Sequence, residues 1–355
     1  MTRTVEHIRS EPLRGLVEQL LDADVKGRVH VLLPEVLGLS ARRLCEALEI
    51  SGYTTSLRLA PEHVFRELSP KDAAEYWVPA PSPDSPELML LFGAQPWETS
   101  FEDDYKIELE AMQNREGLKK QGIRLVFFEW PRGARLDREV DLGAKDLASI
   151  FENAIIGVYD DIRSWNAKLI PLVTPASQVR IQCPHGTDLT LSIKDREWLS
   201  EDCLLGELEP AIYLPGGEIY TAAHENSANG RAVFYYCGER RIATFTDGLL
   251  TAVLFEDGSP DNERGEEMGV GTEPLCEFGI GTNPLAPPWQ IGTIYEKSAG
   301  TVHVAVGGNA HFGGLRDSPR HADLVIREPR VTLDGAPLEL PPARWNSINP
   351  RSQRD

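Results

Sequence analysis

Residues 295–314, YEKSAGTVHVAVGGNAHFGG, decide how the second half of the chain folds. Between Thr301 and Val306 the side chains alternate with period two. Val302, Val304 and Val306 take one face, and Thr301, His303 and Ala305 the other. Successive side chains of a β-strand point to opposite faces, so this alternation predicts a strand. Similar short β-branched runs recur at 188–193 (DLTLSI), 231–237 (RAVFYYC), 250–255 (LTAVLF), 323–326 (DLVI) and 330–333 (RVTL). Turn residues punctuate them, and no internal repeat is visible. Residues 166–340 therefore read as a β-rich (α+β) domain with many hairpins. Residues 341–355 are rich in Pro, Asn and Arg and are expected to form a loosely ordered tail.

Towards the N-terminus the texture changes. Short apolar runs at 29–33 (VHVLL), 88–92 (LMLLF) and 124–128 (RLVFF) are separated by helical stretches at 40–50 and 104–121 and by a Pro/Ser-rich loop at 79–87. Strand, helix, strand in this rhythm predicts a small α/β domain over 1–165 with a partly parallel sheet. The first strand runs into Pro34-Glu35-Val36-Leu37-Gly38, with no GxGxxG, so a dinucleotide site has no support.

Composition excludes several classes. A chain of 355 residues with 41% hydrophobic and 26% charged residues is long enough for about two globular domains. Its net charge of -19 and lack of a basic stripe argue against nucleic acid and anionic membranes as partners. The 5 cysteines are scattered and never in CxxC spacing, which argues against a disulfide framework or a zinc knuckle. The opening MTRTVEHIRSEPL has no apolar signal core, so a cytoplasmic location is expected.

Chemistry concentrates in four segments: 214–230 (LPGGEIYTAAHENSANG), 276–284 (CEFGIGTNP), 295–314 and 318–325 (SPRHADLV). Glu218 follows two glycines, which let backbone turn sharply and bring a carboxylate close to a ligand. Glu277 stands at the head of what reads as another Gly-rich turn. His303 lies in the alternating strand, and His321 and Asp323, spaced i, i+2, share a strand face. Imidazoles and carboxylates converging in this way suit Zn, Co, Mn or Fe. Each residue alone has a plainer reading as a solvated turn or a hydrogen-bonded sheet histidine. Glu296 reads either as a proton-transfer carboxylate or as half of a surface ion pair with Lys297. His224-Glu225 looks like a pair. His185, between Pro184 and Gly186, reads as a loop residue, Trp165 and Trp289 as equally core or pocket, and no Gly-x-Ser-x-Gly elbow occurs.

Taken in order, these blocks resemble the M29 family of metal-dependent aminopeptidases, the aminopeptidase T group, over about residues 165–335. The matching pieces are Gly186-Thr187-Asp188-Leu189, Gly217-Glu218-Ile219-Tyr220-Thr221 with Glu225 to Gly230, Glu277 to Gly281, Glu296-Lys297, His303 to Gly307, and His321-Ala322-Asp323. The resemblance implies a hydrolase that removes N-terminal residues from peptides. It also implies a homodimer, and two divalent transition metals (Zn, Co or Mn) held by Glu218, Glu277, His303, His321 and Asp323. Glu296 becomes the candidate base. The family position matching His224-Glu225 is a turn, which implies that this pair is structural. The family's tyrosine after the first histidine falls on Ala310, a departure that leaves His311 as the candidate replacement. A related group, the ring-opening 2,5-dihydroxypyridine dioxygenases, suggests the alternative: one Fe(II) on His303, His321 and Asp323 acting on a small aromatic diol, or another metal-dependent biosynthetic reaction on the same scaffold. A third reading, favoured only by Ala310, is a non-catalytic scaffold.

Overall fold

The structure, a computed structural model, describes residues 28–34, 38–50, 52–60, 89–95, 123–129, 159–202, 211–236, 238–288 and 295–345. The stretches 79–87 and 104–121, Trp289 and most of the tail lie outside these residues. In chain order the elements begin with β1 (Arg28–Pro34), α1 (Gly38–Ile50), β2 (Thr54–Ala60), β3 (Met89–Gln95), β4 (Ile123–Glu129) and α2 (Tyr159–Val173). Then follow β5 (Gln178–Gln182), β6 (Asp188–Ser192), β7 (Trp198–Glu201), β8 (Ala211–Leu214), β9 (Glu218–Ala222), β10 (Asn229–Tyr236), β11 (Glu239–Thr246) and β12 (Leu249–Phe255). The last are α3 (Asn262–Glu267), β13 (Leu275–Gly281), β14 (Val302–Gly307), β15 (His321–Ile326), β16 (Arg330–Leu333) and β17 (Ala336–Pro337). The described part is mostly β-sheet with few helices. None of its helices is long and apolar enough to cross a membrane.

Two compact units divide the chain. One contains a five-stranded sheet of order β2-β1-β3-β4-β8, parallel throughout. The apolar runs at 29–33, 88–92 and 124–128 are its strands. Parallel neighbours need a crossover, and α1 supplies the one between β1 and β2. It buries Leu44, Cys45 and Leu48, while β1 buries Val29 and Val31. β8, from the β-rich half of the sequence, pairs in parallel with β4.

The other unit carries two antiparallel sheets, one of seven strands (β12-β11-β10-β6-β5-β16-β17) and one of five (β15-β14-β13-β9-β7). In the larger sheet burial alternates as the sequence pattern requires, with Val179 and Ile181 of β5 and Leu189 and Leu191 of β6 turned inward. The smaller sheet behaves differently. Every residue of β13 and β14 is buried, so both faces of its centre are covered. One face is apolar: Phe278 stands opposite Val304 and Thr221, and Trp198 of β7 meets Phe278 edge to face at 5.9 Å. The stretch from Glu277 to Gly281 is strand, where a Gly-rich turn was expected. Its glycines serve side-chain room across the sheet, and the ladder of β9 and β14 on either side holds the backbone extended. A bulge between Leu275 and Glu277 lets Leu275 pair with Val306 on the apolar face, although it stands only two residues from Glu277. Where the tail begins, the Arg344 N–H donates to the Pro284 carbonyl at 2.8 Å.

Phe278 anchors this apolar face and is fully buried. Phe278→Ala is expected to destabilise the protein by about 3–5 kcal/mol. Urea denaturation should show a lower midpoint at unchanged slope, and a midpoint equal to wild type would contradict the packing described.

Candidate metal centre

Strand register places the candidate residues on one face of the five-stranded sheet. Residues directly opposite across a ladder share a face, and so do residues two apart along a strand. Glu201, Glu218 and Gly281 form one row. Tyr220, Gly279 and His303 form the next. Ala222, Glu277, Ala305 and Asp323 form the third, and Gly307 with His321 the fourth. Ionisable groups thus alternate with glycine and alanine, and the small residues make room for the large ones. A Cβ on Gly279 would lie 2.1 Å from the His303 ring, and one on Gly281 would lie 2.2 Å from the Ser298 carbonyl oxygen.

The approach at Gly281 lets the segment before β14 lie over the sheet. Asn283 holds it there: its N–H donates to the Lys297 carbonyl and its carbonyl accepts from the Ala299 N–H, both at 2.9 Å. Glu296 and Lys297 are thereby driven into the centre, only 7% and 4% exposed. The Lys297 ammonium lies 2.6 Å from Glu201, 2.6 Å from Glu218 and 3.0 Å from Glu296. His303 Nε2 lies 3.1 Å from Glu277 Oε1 and 3.4 Å from Glu218 Oε2. His321 Nε2 lies 3.4 Å from both Glu277 Oε2 and Asp323 Oδ1. One oxygen of Glu277 therefore faces His303, and the other faces His321.

Five carboxyl groups here meet one ammonium and two imidazoles. Buried charge of one sign must be balanced, by protons if by nothing else. Burial raises Glu201 to about 7, against the pull of Lys297. Burial and then the Asp323 charge hold Glu296 well above the usual carboxylate range. For the histidines burial works the other way. The Asp323 charge outweighs it at His321 and the Glu277 hydrogen bond at His303, so both are raised. Asp323, despite burial, is held below its usual value by His321.

The structure thus brings together Glu218, Glu277, His303, His321, Asp323 and Glu296. It does not bring in His311. Ala310, His311 and Phe312 form a single 3-10 turn, in which consecutive side chains point a third of a turn apart. Phe312 is the residue turned inward, its ring 6.3 Å from that of His321, while His311 stays exposed. Nor is Glu296–Lys297 a surface pair, because Gly281 and Asn283 bury it. Sequence reasoning missed Glu201, since WLSE carries no alternation marking a strand, and it missed the central place of Lys297. Tyr220, half-buried on the same face, was also passed over. His224 and Glu225 are structural: His224 Nε2 is 2.8 Å from the Lys194 carbonyl, and Glu225 accepts from the Leu315 N–H and pairs with Arg196. His185 lies in a turn 3.7 Å from Glu328.

The donor set fits a divalent cation. One ligand atom each from Glu277, His321 and Asp323 lies within 4.8 Å of the others. Glu218 Oε2 is buried without a hydrogen bond, beside His303. Carboxylate and imidazole are the ligands that transition metals take in mixed sites.

No family model matches the sequence, and no curated protein matches it. The fold does have solved relatives. A 2,5-dihydroxypyridine dioxygenase from Pseudomonas putida KT2440 is similar with a TM-score of 0.57 at 15% identity, over 96% of this chain and 98% of that one. AmpT from Thermus thermophilus is similar with a TM-score of 0.59 at 17% identity, over 94% of this chain and 98% of that one. At these identities the likeness is one of fold.

Two substitutions test the geometry. Gly279→Ala must displace the His303 ring, so metal affinity is expected to fall about 10–100-fold with circular dichroism unchanged; unaltered affinity would show that the ring has another place to go. Lys297→Met leaves two buried carboxylates, Glu218 and Glu296, and the half-buried Glu201 without their cation, at an expected cost of about 3–5 kcal/mol. Carboxyls whose native affinity for protons is raised contribute stability while protonated and lose it as pH rises. The deficit should therefore widen between about pH 6 and about pH 8 in denaturation midpoints, and a pH-independent deficit would refute the charge argument.

Proposed function

We propose that this chain is a metal-dependent hydrolase that removes N-terminal residues from peptides. The observation that carries the reading is Glu277. Its Oε1 faces His303 and its Oε2 faces His321, with Glu218 beside the first imidazole and Asp323 beside the second. A carboxylate shared between two such pockets is suited to hold two cations side by side. Divalent Zn, Co or Mn bound there would supply Lewis acidity and a water activated near neutral pH. Likeness of fold to AmpT, an M29 aminopeptidase, lends support, as does the order of the sequence blocks.

The chain's own residues divide the remaining work. Lys297 holds Glu218 by one oxygen, which leaves the other turned towards His303. Burial, and then the charge of Asp323, hold Glu296 well above the usual carboxylate range. Once ionised, as cations bound beside it would favour, a carboxylate of raised proton affinity is suited to take a proton from water and return it to the leaving amine. His311, at the exposed end of its turn, would meet substrate at the rim rather than the cations.

A second reading has its own observation. Among the described residues, Glu277, His321 and Asp323 form a ligand trio that a single ion could occupy, and the dioxygenase is similar in fold. That trio has one imidazole and two carboxylates. The sequence-based alternative, with His303, His321 and Asp323 on one Fe(II), differs from it. We also propose that the chain is a homodimer, since β2 and β8 are open edges of the parallel sheet among the described residues; light scattering at micromolar concentration would give a doubled mass.

Elemental analysis of purified protein separates the two enzyme readings. Two transition metals per chain, with release of N-terminal residues from short peptides, are the expected result. One iron per chain with O₂ uptake on aromatic diols would replace the hydrolase reading. His321→Ala and Asp323→Ala are each expected to abolish activity and lower metal content with the fold intact. Full metal content in either variant would remove that residue from the ligand set.

A further inference from the structure

Tyr220 lies on the ionic face of the sheet, yet neither the cation-binding role nor the proton-transfer role uses it. It is two residues from Glu218 on β9, hence on the same face. In its row it stands next to Gly279, with His303 beyond. Because Gly279 has no side chain, nothing on that strand separates the phenol from the imidazole. Burial, and then the charges of Glu201, Glu218 and Glu277, make the phenol hold its proton more tightly than usual.

Two features set it apart from its neighbours. Glu218, Glu277, His303 and Lys297 are buried, whereas Tyr220 is half-buried and keeps some access to solvent. Its ring is also fixed in place. Phe312 meets it edge to face at 5.7 Å and 73°, and Phe312 in turn packs against His321. Other donors nearby are committed elsewhere: Lys297 to three carboxylates, the Tyr295 hydroxyl to the Asp323 carbonyl, and the Thr221 hydroxyl to the Glu197 carbonyl on the far face.

From this placement we infer that Tyr220 is a catalytic residue, a fixed neutral hydrogen-bond donor to the substrate oxygen that gains charge in the reaction. The inference rests on the hydrolase reading. When water adds to a peptide carbonyl, the C–O bond forms and negative charge builds on the carbonyl oxygen. The C–N bond then breaks, and the amine leaves with a proton. Throughout, the phenol keeps its own proton and only donates a hydrogen bond, strongest when the oxygen is most negative. A rigid donor of this kind acts on the transition state more than on the bound substrate.

The test compares metal-loaded wild type with Tyr220→Phe, which keeps the ring and its contact with Phe312. Expected are equal metal content, equal melting temperature, a kcat lower by about 10²–10³-fold and a KM little changed. Leucine hydroxamate supplies a readout without turnover, and by calorimetry its affinity should fall about 10-fold in the variant. Equal kcat and equal hydroxamate affinity would overturn the role of Tyr220 while leaving the hydrolase reading standing. Loss of metal from the variant would overturn it too, by showing that Tyr220 supports the ligands instead. A wild type that holds metal but neither cleaves peptides nor binds the hydroxamate would sink both.

Discussion

A buried ammonium holds this site together. Lys297 sits within salt-bridge distance of Glu201, Glu218 and Glu296, with almost no access to water. Taking ions out of water costs several kcal/mol each, so three carboxylates would not stay charged in such a place alone. One ammonium with three protons meets three acids, and the arrangement becomes tolerable. The backbone is built to deliver that ammonium. Asn283 clasps the segment on both sides of Ser298, and Gly281 lets it come within reach of the sheet.

The rest of the site follows from a sheet with one apolar face and one ionic face, both buried at its centre. Apolar residues on the first face carry the packing, so the second face is free to hold groups that oppose folding. Loops around it are pinned by polar side chains. Asn309, fully buried, donates to the Ala223 and Cys276 carbonyls and accepts from the Arg316 N–H. Glu273 ties down Arg316, Ser318 and Arg320. Fixed surroundings of this kind spare the site the reorganisation that a mobile one would undergo at each turnover. Burial raises the proton affinity of Glu296, and the neighbouring carboxylates raise those of His303 and His321; a divalent cation bound there would offset the same negative charge.

Fold and site were legible to different degrees. β14 could be read from its alternation, and β15 and β16 from their β-branched composition. The three apolar runs of the first unit and α1 were legible as well, because burial between layers demands continuous or periodic apolar surface. β13 was misread because Gly279 and Gly281 look like turn residues; they are there for the His303 ring and the Ser298 carbonyl, which belong to other strands and loops. β7 and its Glu201 left no mark, since a short edge strand of mixed residues has no period to detect. His311 looked like the donor after β14, but a 3-10 turn puts its neighbour Phe312 inside instead.

By itself, then, the sequence determined which residues could act as ligands and that several lay on strands, because side-chain chemistry and period two are local properties. It determined that His321 and Asp323 share a face, since two-residue spacing on a strand allows nothing else. Only the tertiary structure decided that Glu277 divides its oxygens between His303 and His321, that Lys297 is buried among acids rather than solvated, and that Tyr220 faces the cluster across Gly279. Each of these depends on register between strands far apart in the chain. Register is set by the packing of the apolar face and by the bulge before Glu277, and neither can be read from the spacing of the residues that carry the chemistry.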